Sequence, residues 1–196
     1  MLKEREKDAT RVLLEFLKSN FPLFKEFLTL FQKSTPTIHL VYDSICLTLL
    51  KVIRRFLKPT ALEGKYGATL RSVSCEDVKL QLTDNELVIG DLTRKALTCL
   101  NPAKQRLAFL GIRAFYVTTV SHLQSRLPLG NKLLRDLRCL NPVKRHGKST
   151  DSSIQNLSKN FQPQLDVSSV LEKQIKRYLN LILISRLIIT GMLCSS

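Results

Sequence analysis

The segment between Pro36 and Pro59 constrains the fold more than any other. Ile38, Val41, Ile45, Leu49, Val52, Ile53 and Phe56 recur at the three- and four-residue intervals of one helix face. Thr35 can cap this helix, Pro36 stands where a first helical residue belongs, and Pro59 stops it. Lys51, Arg54, Arg55 and Lys58 gather near its C-terminal end, where cations complement the helix dipole. The spacing predicts a helix over 37–58. Its apolar face needs a cover, and the rest of the chain offers mostly other helices.

Residues 4–19 place Val12, Leu13, Phe16 and Leu17 on one side, and Pro22 predicts a break before a second helix over 21–33. That second helix carries Phe24, Phe27 or Leu28, and Phe31. Asn101-Pro102 opens another long helix through 127, with Phe109, Ile112, Tyr116, Val120, Leu123 and Leu127 along one face. Thr83 and Glu86 have capping-box spacing and predict a short helix to 89, ended by Gly90; Asp91 can cap the next, to about 100. Asn131 caps a piece holding Leu133, Leu134, Leu137 and Leu140. The 62–80 connector contains Gly64 and Gly67 and has mixed polarity. The expected fold is therefore all-α, an irregular multi-helix bundle with at most one short strand or hairpin in that connector. The expected parts are a helical core over 1–140, a basic flexible loop over 141–152, C-terminal helices over 153–178 and an apolar tail over 179–196.

At 196 residues the chain can build one core without staples. Leu dominates its apolar set and Trp is absent, which favours helix over sheet. The net charge is +15 and lies unevenly, about +4 over residues 1–98 and +11 over 99–196. Such a half attracts phosphate backbones or anionic surfaces. Arg135 and Arg138 lie three residues apart on one predicted helix, and Lys144, Arg145, His146 and Lys148 follow in the basic loop. Arg135, Arg138, Lys144, Arg145 and Lys148 are the candidate nucleic-acid contacts, neutralising phosphates without reading sequence. The loop cluster also has the composition of a nuclear-import signal.

Other chemistry finds little footing. Cys46, Cys75, Cys99, Cys139 and Cys194 are odd in number and widely spaced, without a zinc-type pair, so reduced intracellular thiols are expected. Gly147-Lys148-Ser149-Thr150 ends like a phosphate-binding loop, but Pro142 occupies the place of its first glycine. His39, His122 and His146 are far apart, and after Asp91 only Asp136, Asp151, Asp166 and Glu172 are acidic. No catalytic residue, cofactor, metal or small-molecule substrate is expected. Residues 1–8 lack the apolar run of a signal peptide, and Asn156-Leu157-Ser158 reads as a chance sequon. Residues 179–194 are apolar but short, with Arg186 near their centre, so a membrane anchor is not expected. The octets at 97–104 and 137–144 look alike through their Leu-Asn-Pro ends, which reads as two similar helix ends rather than a solenoid.

Several of these strings resemble hAT-type transposase-derived proteins of animal genomes. They are residues 24–33 (FKEFLTLFQK), Ile38-His39-Leu40, residues 55–59 (RFLKP) and residues 82–90 (LTDNELVIG). Further matches are Phe115-Tyr116, residues 127–131 (LPLGN), residues 133–137 (LLRDL) and Leu140-Asn141-Pro142, so that the order covers about 12–178. In that family such a stretch is similar to the helical region inserted in an RNase H-like catalytic fold. The resemblance implies a catalytically inactive helical fragment in which the family's zinc finger, dimerisation segment and catalytic carboxylates have no counterpart. It also implies a nuclear location. After Tyr178 the aliphatic sequence departs from the family's charged and aromatic pattern. Three functions follow as expectations: weak, sequence-independent nucleic-acid binding through the basic half, protein binding through exposed apolar helix faces, or a relic of a mobile element without function.

Overall fold

The computed structural model describes residues 2–32, 34, 37–144 and 150–161, with side chains from Thr10 onward. The chain divides into two units, residues 1–145 and 146–196, a boundary inside the basic 141–152 segment. The first unit holds α1 (Leu2–Phe31), α2 (Ile38–Ile53), α3 (Asp91–Thr98), α4 (Pro102–Arg126) and α5 (Lys132–Asp136). The second contributes α6 (Thr150–Phe161). The fold is all-α, and among the described residues no strand forms. An isolated antiparallel bridge joins Leu57 to Gln81. The 62–80 connector winds into short 3-10 turns, Gly67–Ser72 and Val78–Leu80, after Pro59–Leu62.

Helix α2 is the axle of the first unit. Val41, Ile45, Leu49, Val52, Ile53 and Phe56 are all buried, as their spacing predicts, whereas Ile38 stands half exposed at the helix start. Thr37 is the N-cap residue and makes no side-chain cap bond; Thr35 and Pro36 lie outside the described residues. The helix stops at Ile53, before the predicted end at 58, because the next residues are drawn into other pairings. Lys58 N donates to Leu80 O rather than back to Arg54 O, and Leu82 N donates to Phe56 O, each at 2.8 Å, so the backbone after Ile53 pairs with the neighbouring loop.

Helices α1 and α4 pack on α2 and on each other, and α3 fills the angle between them. The predicted break at Pro22 does not occur: α1 runs through it. Proline removes the bond to the Lys18 carbonyl and crowds it, but packing on both sides holds the helix in one piece. Phe16 and Leu30 are buried on either side of it, and buried Asn20 donates Nδ2–H to Phe16 O at 2.9 Å. Ser19 Oγ donates to Ile89 O at 2.8 Å, which ties this stretch to the loop before α3.

The predicted helix after Thr83 is also absent. The spacing does form its local contacts, since Thr83 N and Oγ1 both donate to Glu86 Oε2. The Arg94 guanidinium then takes the carbonyls of Asp84, Asn85 and Leu87, and i+4 amides of a helix would need them. A turn results. Gly90, at φ +90°, becomes the N-cap of α3, and Asp91 is its first residue. Asn131 caps α5 as predicted, and Asn101, read as opening α4, proves to be its N-cap; each accepts from the amide three residues on.

The segment read as a flexible loop over 141–152 is structured at both ends. Pro142–Lys144 is a 3-10 turn in which Asn141 Oδ1 accepts from Val143 N at 3.0 Å. α6 starts at Thr150, ahead of the predicted 153, with Asp151 in its first turn, where a negative charge suits the dipole. The apolar tail over 179–196 lies outside the described residues.

Gly67 sits where α2 meets the connector. Its φ of +65° is left-handed, and a Cβ there would lie 2.5 Å from Tyr42 Oη. Tyr42 is buried and donates its hydroxyl to Leu129 O at 3.2 Å, so the ring cannot yield without breaking that bond. Gly67→Ala is expected to cost about 2–3 kcal/mol, from the left-handed backbone plus the lost hydrogen bond. Denaturant unfolding checks it; a change under about 0.5 kcal/mol would contradict the packing described.

Candidate functional site

Two features stand out, a polar node on α2 and an apolar surface on α4. The node centres on Asp43, the one acid in a mostly apolar helix, its side chain 13% exposed. Tyr66 Oη donates to Asp43 Oδ1 at 2.8 Å, and Lys144 Nζ donates to Oδ2. Arg138 Nε lies 2.8 Å from Oδ1 as an ion pair, its N–H out of hydrogen-bond alignment. The Arg138 guanidinium also lies 5.6 Å from the Tyr42 ring centroid and 5.9 Å from that of Tyr66, within cation–π reach. Burial alone would raise the Asp43 carboxyl's pKa. The Lys144 and Tyr66 hydrogen bonds and the Arg138 charge outweigh it and hold the group below its usual range. Tyr66 moves the other way, raised by burial and by its bond to the carboxylate.

The candidate nucleic-acid contacts thus divide. Arg138 and Lys144 come together on Asp43, their charge directed inward. Arg135 stands half exposed, 3.8 Å from Asp136 Oδ1. Arg145 and Lys148 lie outside the described residues. Other arginines act as staples: Arg113 bonds Gln81 Oε1, Leu82 O and Asp84 Oδ1 at 2.6–3.0 Å. Part of the basic surplus therefore serves the fold.

Residue spacing did not single out Asp43, Tyr66 or the surface of α4. A lone carboxylate inside an apolar helix was the available sign for Asp43, because an ion there needs partners. Among the described residues no group of three or more His, Cys, Asp or Glu could hold a metal ion. Cys46, Cys75 and Cys139 are buried and unpaired, while Cys99 is exposed. Burial raises the pKa of the three buried thiols, Cys75 to about 11, so they stay protonated near neutral pH and are poor nucleophiles. No described helix is long and apolar enough to cross a membrane.

The second feature is apolar. Helix α4 buries Ile112, Tyr116 and Val120 on one side, yet exposes Leu107 at 68% and Leu110 at 62% on another. Beside Leu107 a groove of about 460 Å³ opens between α1 and α4, walled by Leu13, Phe16, Leu107 and Phe115. Leu13 at its edge is 55% exposed. Gly111 lines the groove, and a Cβ added there would meet nothing within 4 Å. Among the described residues Lys104 is the one charged residue lining it. Such a cleft suits an apolar helix ridge more than a polar substrate. Comparison of the chain with family models, curated proteins and solved structures finds no match.

Proposed function

We propose that this protein is a helical protein-binding module whose working surface is the outer face of α4 together with the α1/α4 groove. The observation that carries this reading is the outward pair Leu107 and Leu110, solvent-facing on a helix whose other side is already buried in the core. A glycine at 111 adds to it. Mid-helix glycine costs about 1 kcal/mol relative to alanine, and here it leaves the groove open. The occupant that fits is the apolar face of a partner helix.

The test fills the groove. Gly111→Leu is expected to lower by at least about half the fluorescence of an anilinonaphthalene sulfonate dye bound to the full chain, while raising stability by about 0.5–1 kcal/mol, since leucine is a good helix former and no atom obstructs it. Unchanged dye fluorescence in a folded variant refutes the groove as a binding surface.

A second reading rests on charge. Residues 92–135 contain no Asp or Glu, and Lys95, Arg106, Arg126 and Lys132 lie along them. This supports weak, sequence-independent nucleic-acid binding, which would fall steeply with salt where groove binding persists. Arg138 and Lys144 contribute less to it than their sequence positions imply, being paired with Asp43. The resemblance to hAT-type transposase-derived proteins supports a catalytically inactive helical fragment as the origin of the chain, with nuclear residence as its corollary.

A further inference from the structure

The exposed face of α4 also carries information about charge. Ala103, Leu107, Leu110 and Ala114 are all exposed and spaced by four, three and four residues, the interval of a helix–helix seam. By register, Lys104 and Gly111 flank one side of this seam and Arg106 and Arg113 the other. Arg113 is committed to Asp84, and Arg106 is exposed. No carboxylate occurs anywhere in α4. Cations therefore flank both sides of an open apolar stripe. A second copy of the same helix would set these like charges against each other, which costs affinity at flanking positions.

We propose that the Ala103, Leu107, Leu110, Ala114 seam of α4 and the groove beside it receive an amphipathic helix of another protein, whose apolar stripe is flanked by Asp or Glu. This deepens the protein-binding reading above and rests on it. Leucines of the partner enter the space left by Gly111, between Leu13 and Leu107. Its acidic flank faces Arg106 and sets orientation and partner choice, while the buried stripe supplies most of the affinity.

Fluorescence anisotropy with the full chain and two labelled helical peptides tests this. The peptides share one leucine stripe and carry Glu or Lys at every flanking position. The Glu peptide is expected to bind at least about tenfold more tightly than the Lys peptide, as close opposite charges at an interface allow. Arg106→Glu should shrink or reverse that preference, and Leu110→Glu should weaken both peptides about tenfold or more. Leu110 is exposed, so the variant keeps its core. Equal binding of the two peptides overturns the acidic partner. So does concentration-dependent self-association that Leu110→Glu abolishes, which would make the occupant a second copy. If neither peptide binds but Gly111→Leu still quenches the dye, the acidic-helix proposal fails and the groove stands; if the dye signal is also unmoved, both fall.

Discussion

Asp43→Ala is expected to lower the unfolding free energy by about 2–3 kcal/mol, because it strands Tyr66, Arg138 and Lys144 around an empty position. The figure sits below that for a fully buried pair because Arg138 and Lys144 are 28% and 39% exposed and can recover some hydration. Asp43→Asn keeps an acceptor for Tyr66 but removes the charge, so a smaller loss of about 1–2 kcal/mol is expected. The pH dependence carries a definite sign. The folded-state pKa of Asp43 is lowered, so its contribution is fully present above the ordinary aspartate range and fades as pH falls through the depressed folded value. Wild type should therefore lose stability more steeply than Asp43→Asn on acidification below about pH 4. Urea midpoints measured from pH 6 to pH 2.5 check this, and parallel curves for the two proteins would rule out the ion cluster as a stabilising tie.

Tyr116→Ala carries the largest expected effect, a loss of about 3–5 kcal/mol. The Tyr116 ring is completely buried, stacks on Phe56 with centroids 5.3 Å apart and the planes 6° from parallel, and meets Phe16 edge-on at 5.5 Å. Its hydroxyl donates to Val88 O at 2.6 Å, which links the core of α4 to the loop before α3. Tyr116→Phe keeps the stacking and leaves that carbonyl short of a donor, so about 1–2 kcal/mol should go. Thermal or denaturant unfolding of both variants separates ring from hydroxyl. Equal losses would mean that the hydroxyl bond, rather than the aromatic stack, holds this junction.

The fold was legible where periodicity and capping agreed. α2 and α4 follow their apolar spacing, and Asn101 and Asn131 cap as their positions imply. The two similar octets behave alike for a local reason. Asn101 accepts from Lys104 N at the start of α4, and Asn141 accepts from Val143 N before a single turn, so shared Asn-Pro chemistry accounts for them. What failed was decided by distant groups. Pro22 lies within α1 because Phe16, Asn20 and Leu30 hold both sides of it, and the Thr83 turn stops because Arg94, from α3, occupies its carbonyls. Local propensity cannot see either contact.

The candidate surface was half legible. Counting charge located a basic second half, but could not say that Arg138 and Lys144 would turn toward one carboxylate on α2, remote in the chain. The open leucines of α4 were hidden by the same periodicity that found its core face. Reading Phe109, Ile112, Tyr116 and Val120 as the apolar stripe leaves Leu107 and Leu110 looking like incidental neighbours.

Arg94 gives the molecule a second fastening with different chemistry. Its guanidinium holds three backbone carbonyls, of Asp84, Asn85 and Leu87, and no carboxylate takes part in those bonds. The Asp43 tie has a carboxylate at its centre. Acid would thus loosen the Asp43 tie, and within the loop before α3 the Thr83–Glu86 and Arg113–Asp84 contacts, while the Arg94 bonds to that loop's backbone stayed made.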